Sequence, residues 1–159
     1  MYLTLLIVID NNTKSRLVAQ CLSEDETIES YEWFLDCLLQ TTNNNPPTCL
    51  FSDADPALIN AVASKLPETH HFLCIFHIQE NLRKNLSSKL GQSYKTFYKD
   101  FLHARNSLFE EDFHRRWTRL IENYPMTQEY LNRSLNNCYQ TWARCYQIKY
   151  FTAGIQSTQ

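Results

Sequence analysis

The spacing of apolar residues changes near residue 80 and does not change back, which narrows the folds open to this chain. Before that point short apolar runs alternate with amphipathic stretches; beyond it the apolar positions recur at helical spacing. Residues 3–9 are a continuous apolar, β-branched-rich run, Asp10-Asn11-Asn12-Thr13 is turn chemistry, and residues 15–22 resume as a second strand, so the pair predicts a hairpin. Glu24-Asp25-Glu26-Thr27 places negative charge where a helix begins, and Ile28, Tyr31, Leu35 and Leu38 follow at helical spacing with Phe34 beside them. After the loop Asn43-Asn44-Asn45-Pro46-Pro47, residues 48–52 form a short strand that ends at Asp53. Asp55-Pro56 then supplies a helix N-cap and a proline at the first helical position, and Leu58, Ile59, Val62 and Leu66 mark one helix face up to Pro67. Residues 71–75 read as another buried strand, leading into a helix over 78–90 that Gly91 closes.

From there the pattern is helical throughout. Tyr94, Phe97, Tyr98, Phe101 and Leu102 make one amphipathic helix. Phe113, Trp117, Leu120 and Ile121 make a second, opened by Glu110-Glu111-Asp112 and stopped at Pro125. Leu131, Leu135, Cys138, Trp142 and Tyr146 predict a third over 127–147. The chain therefore reads as α/β to about residue 80 and all-α beyond it, without internal repeats.

Composition removes several function classes. With only 2 glycines there is no glycine-rich phosphate loop, which excludes P-loop and dinucleotide-binding readings. Hydrophobic residues at 43% and aromatics at 13% provide a real core and argue against disorder. The 6 cysteines show no secreted framework, and the 3–9 run has no basic leader and is too short to cross a bilayer, so an intracellular chain without a membrane partner is expected. Residues 1–80 carry 3 Lys/Arg against 11 Asp/Glu, whereas residues 81–159 carry 12 against 6. The acidic half suits a metal ion and the basic half suits phosphates, although solvated faces of two differently built regions would give the same asymmetry.

Two local features carry chemistry. Asp53 lies at the C-terminal end of a strand, the edge of an α/β sheet where ligands and metals bind, and a carboxylate there can hold Mg²⁺. Strand-end aspartates also serve simply as helix caps, a role for which Asp55 is better placed. Cys74-Ile75-Phe76-His77 offers two zinc ligands of the four that a structural site needs; Cys49, His70, His71, His103 and His114 are the possible completions, and none has diagnostic spacing. A buried cysteine beside a locally bonded histidine accounts for the same pattern.

As an ordered set these motifs resemble Mutator-like element (MULE) transposases. Asp10-Asn11-Asn12 with Ser15-Arg16-Leu17-Val18-Ala19-Gln20 resembles the second-strand hairpin of that family, and Glu26-Thr27 with Ser30-Tyr31-Glu32-Trp33 and Leu35 follows its next element. Ser52-Asp53-Ala54-Asp55, Ala57-Leu58, Ala61, Pro67 and Cys74-x-x-His77-Ile78 match the stretch around its second catalytic acid. Phe151-Thr152-Ala153-Gly154 and Ser157-Thr158-Gln159 resemble the approach to its third. The transposase-derived far-red-response regulators of plants share the pattern.

The resemblance implies an RNase H-like (DDE transposase) core over 1–80, incomplete here, an all-α helical insertion over 81–148, and the start of the return to the core over 149–159. It implies an Asp, Asp, Glu triad that binds two Mg²⁺ or Mn²⁺ ions for DNA cleavage and strand transfer. Asp53 corresponds to the middle acid, and Cys74 and His77 to the family's Cys-x-x-His element, holding zinc or organising the site. Asp10 is tempting as the first acid, but by the family pattern it belongs to the turn after the second strand. The first acid is expected upstream of Met1 and the third, a Glu, just past Gln159; Glu110, Glu111 and Glu122 lie within the insertion. The chain is thus expected to be a fragment of a nuclear transposase, inactive by itself, with DNA as partner and a homo-oligomer as an open option. The alternative is a domesticated DNA-binding or transcription-regulatory protein without catalysis, in which Arg83, Lys84, Lys89, Lys95 and Lys99 meet phosphates. A zinc-dependent interaction module centred on Cys74 and His77 is a third reading.

Overall fold

The structure, a computed structural model, describes residues 1–10, 12 and 14–152. The sequence motifs at Asn11, Thr13 and 153–159 lie outside the described residues. The chain divides into two compact units, Met1–Phe72 and Leu73–Thr152.

In the first unit the elements run β1 (Tyr2–Ile9), β2 (Ser15–Ser23), α1 (Ile28–Thr41), β3 (Cys49–Ser52), α2 (Pro56–Lys65) and β4 (His70–Leu73), at whose end the second unit begins. The predicted hairpin forms: β1 and β2 pair antiparallel from Tyr2↔Ser23 to Ile9↔Ser15. Asp10 holds its turn. One carboxylate oxygen accepts the backbone N–H groups of Asn12 (2.9 Å) and Lys14 (3.0 Å), and the other accepts Arg16 Nε at 2.9 Å. These bonds, the Lys14 amide first, hold the Asp10 carboxyl below the usual aspartate range. Opposite Leu6 and Ile7 the pairing shifts from Ala19 to Leu17, which leaves Val18 as one extra residue on β2.

Helix α1 begins at Thr27, whose Oγ1 accepts from Ser30 N, and α2 begins at Asp55 with Pro56 at its first position, both as the local chemistry predicts. Tyr31 and Leu35 of α1 pack with Ala61, Val62 and Leu66 of α2 and its C-terminal flank, with Leu50 of β3 against the cluster. Among the described residues the strands form two two-stranded sheets, β1–β2 and β3–β4.

The second unit is helical: α3 (Ile75–Leu90), α4 (Tyr94–Arg105), α5 (Glu110–Asn123), α6 (Gln128–Ser134) and α7 (Arg144–Gln147). Two expectations are corrected here. The strand predicted over 71–75 stops at Leu73, and the following helix starts at Ile75 rather than 78, with Cys74 as its extended N-cap. The single helix predicted over 127–147 is broken into α6, a tight 3-10 segment over Asn136–Thr141 and α7, with Cys138 at φ −134°, ψ 24°. The break follows from tertiary bonds. Trp117 Nε1 donates to Asn136 Oδ1 at 2.9 Å and Trp142 Nε1 to the Leu135 carbonyl at 3.1 Å, which gives both buried indoles a partner that a continuous helix would withhold.

Around those indoles Phe97, Phe101, Phe113, Trp117, Leu120, Leu131 and Trp142 form a dense core. Arg105 is buried among them at 1% exposure, yet its guanidinium is served by the Trp142 carbonyl (3.2 Å), Asn106 Oδ1 (2.8 Å) and Gln147 Oε1 (3.1 Å). Burial lowers Arg105 to about 10.

Candidate functional site

The chemistry-bearing residues of the first unit gather where β3 ends. Ser52 closes the strand and Asp53 follows, exposed. The two neighbouring aspartates have separate duties. Asp55 Oδ1 accepts Leu58 N at 2.9 Å and caps α2. Among the described residues the exposed Asp53 carboxylate accepts one hydrogen bond, from the Asp55 N–H to Oδ1 at 3.3 Å, which leaves most of its lone-pair capacity unused there. The capping duty that competes for Asp53 in the sequence therefore falls to its neighbour.

Beneath Asp53 a side-chain bond clamps β3 to β4: Ser52 Oγ and His71 Nε2 lie 2.7 Å apart, and the same Oγ reaches the Asp53 carbonyl at 2.8 Å. Burial pushes His71 below the ordinary histidine range, and the negative charge of Asp53 opposes that shift only in part. The Tyr31 hydroxyl donates to Glu26 Oε1 at 3.3 Å. Burial raises its pKa, and the charges of Glu26, Asp55 and Asp53 raise it further. The end of β3 is thus electronegative, a setting that favours a cation. The sequence did not single out His71 as the partner of Ser52 or Tyr31 as a neighbour of the acids. The only available signal was that both flank the Asp53 strand, and pairing between β3 and β4 is not written in either strand alone.

In the second unit Cys74 is buried at 1% exposure at the N-cap of α3, and His77 stands in the first turn of that helix. His77 Nδ1 is buried with no hydrogen-bond partner among the described residues, and the ring meets Phe76 edge-on at 5.5 Å. An orphaned ring nitrogen suits a metal or a proton donor, but two ligands are half of a structural zinc site. Among the described residues no three His, Cys, Asp or Glu side chains converge into a cation site, around either Cys74 and His77 or Asp53.

The predicted phosphate contacts are spread over two helices. Arg83, Lys84 and Lys89 are exposed on α3, and Arg83 is tied to Glu80 at 2.8 Å. Lys95 and Lys99 are exposed one turn apart on α4.

The MULE transposase domain family matches residues 1–81, more than half of the 159 residues. The chain belongs to that family. This MULE-family chain is also similar to three proteins of Arabidopsis thaliana along almost its whole length. It is 29% identical to FAR1-RELATED SEQUENCE 4 over 96% of the chain, 25% identical to FAR1-RELATED SEQUENCE 10 over 95%, and 22% identical to FAR-RED IMPAIRED RESPONSE 1 over 99%. Those matches cover 21%, 22% and 19% of the respective relatives, so the chain spans about a fifth of their length. Among the described residues no helix is long and apolar enough to cross a membrane. Cys21, Cys37, Cys138 and Cys145 are free thiols.

Proposed function

We propose that this chain is part of a DNA-acting, transposase-derived nuclear protein, and that Asp53 is its contribution to a metal-dependent cleavage site. The observation that carries this reading is the division of labour at the end of β3. Asp55 caps the helix, leaving Asp53 outward-facing on a rigid strand end in an electronegative corner, within a MULE-family stretch. In this reading residues 1–80 belong to an RNase H-like core, residues 81–148 are a helical insertion and 149–159 lead back to the core. The exposed apolar side chains of the hairpin, among them Leu3, Leu5, Leu17 and Leu22, support further strands packing there. Cys74 with His77 is, in this reading, an organising or zinc-binding pair. Divalent Mg²⁺ or Mn²⁺, when bound by the complete protein, supplies activation of the nucleophile and stabilisation of the leaving oxygen. The test is Mg²⁺-dependent nicking of a DNA duplex by the full-length protein. Asp53→Asn is expected to abolish it, and undiminished cleavage would remove Asp53 from the chemistry.

A second reading keeps the fold for DNA binding and gene regulation without cleavage. It is favoured by the similarity to FAR-RED IMPAIRED RESPONSE 1, named for a response, and to two FAR1-RELATED SEQUENCE proteins. Salt-dependent DNA binding without nicking in Mg²⁺ or Mn²⁺, by a full-length protein shown to be folded, would select it. Homo-oligomerisation is compatible with either reading and is checked by light scattering.

A further inference from the structure

A groove in the second unit gathers basic residues that are scattered in the sequence. It is a hollow of about 550 Å³ lined by Asp100, His103, Arg116, Arg119, Leu120 and Asn123, drawn from α4 and α5. Leu120 is buried at 2% exposure, while His103, Arg116, Arg119 and Asn123 are all exposed. The groove is built rather than accidental. Arg116 Nη1 donates to the His103 carbonyl at 2.8 Å and to Ser107 Oγ at 3.4 Å, so one guanidinium edge is anchored to the end of α4 and the rest remains available. The single acid, Asp100, accepts the Tyr124 hydroxyl at 3.0 Å. Arg119, three residues after Arg116 on the same helix face, makes no ion pair among the described residues. Lys95, Lys99 and His103 follow one another at one-turn steps along α4, a rise of ~12 Å that leads into the groove.

We propose that this α4/α5 groove binds the phosphodiester backbone of DNA, with Arg116 and Arg119 as its main phosphate contacts and His103 at its edge. An anchored guanidinium beside an unpaired one offers directed donors to phosphate oxygens. Phosphate contacts of this kind position a duplex without reading its sequence. The choice of DNA over other polyanions rests on the function proposed above; the anion site itself does not.

The test is fluorescence anisotropy of a labelled DNA duplex with the full-length protein over a salt series. Arg119→Glu is expected to weaken binding roughly tenfold at low salt and to reduce the salt slope by about one, uniformly across duplex sequences. His103→Gln is expected to have a smaller effect in the same direction. Arg133→Glu, an equal change of charge on exposed α6, serves as the reference and is expected to change affinity far less. Unchanged affinity in folded Arg119→Glu protein, or an equal loss in Arg133→Glu, would overturn the groove. Tighter binding of a matched RNA duplex with the same dependence on Arg119 would overturn the assignment to DNA. Asp53→Asn in this assay is expected to bind normally, so loss of nicking bears on the cleavage reading alone and loss of the Arg119 effect bears on the groove alone.

Discussion

The two units solve the problem of a hydrophobic core differently. In the helical unit the aromatic residues are buried against each other: Trp142 lies 5.6 Å from Phe101, 5.5 Å from Phe113 and 5.3 Å from Trp117, and even the buried Arg105 finds three oxygen partners. In the first unit the buried cluster is small and mostly aliphatic, built on Leu35, Ala61, Val62 and Leu66 with Tyr31 as its one aromatic ring. Its hairpin meanwhile exposes Leu3 at 59%, Leu17 at 56% and Leu22 at 67%. The helical unit builds a dense aromatic core from its own residues. The hairpin carries apolar surface on a two-stranded ribbon, an arrangement with little stability of its own in water. The difference teaches that the acidic, family-matching part of the chain depends on further packing, whereas the basic part can present a formed surface by itself.

The largest expected effect breaks the better-packed side of this contrast. Trp142→Ala should cost about 3–5 kcal/mol in urea unfolding followed by helical circular dichroism, because it opens a cavity among three aromatic rings and releases the Leu135 carbonyl. A loss under about 1 kcal/mol would mean that the aromatic cluster is not the stabilising core. Next, Asp55→Ala should cost about 1 kcal/mol through the lost cap of α2. Asp53→Ala at the adjacent position should leave the melting temperature nearly unchanged, and equal losses at the two sites would erase their division of labour. Acidification gives a gentler handle on the first unit. The folded-state pKa of His71 lies below its ordinary value of 6.5, so the unfolded chain takes up the proton first and stability falls as pH drops through and below that value. His71→Gln should flatten that limb of the stability–pH curve; an unaltered curve would show that another group is responsible. The smallest effect concerns the cross-strand pair Leu3↔Leu22. Replacing both with threonine should shift stability by less than about 0.5 kcal/mol while improving the solubility of residues 1–159, and a marked loss of stability would show that the pair is packed after all.

What could be seen in the sequence was whatever local chemistry decides. Asp55-Pro56 specifies the start of α2, and the apolar run over 3–9 with the turn chemistry that begins at Asp10 specifies the hairpin. The MULE resemblance was legible because its residues keep their order, and the family match over residues 1–81 supports it. What failed was set by distant partners. Leu131, Leu135, Cys138 and Trp142 keep helical spacing, yet the backbone departs from a helix at Cys138, where indole bonds to Asn136 and Leu135 outweigh local propensity. The apolar run over 71–75 looked like one strand because periodicity cannot mark where a short buried strand gives way to a helix. The groove was invisible for a similar reason: His103 and Arg119 meet only because α4 folds back on α5. Arg116 and Arg119 at three-residue spacing on the polar face of an amphipathic helix were the one available hint.

The extra residue in the hairpin bears on how such a chain can change over evolutionary time. Val18 stands outside the ladder between Leu17, which faces Ile7, and Ala19, which faces Leu6. Deleting it would leave every other partner in place, from Tyr2↔Ser23 down to Ile9↔Ser15, and would remove only the local kink. A deletion away from the bulge would slide the residues between it and the bulge and turn their side chains to the opposite face. The bulge around position 18 is thus a point where β2 can lose one residue and keep both the Asp10 clasp and the strand faces.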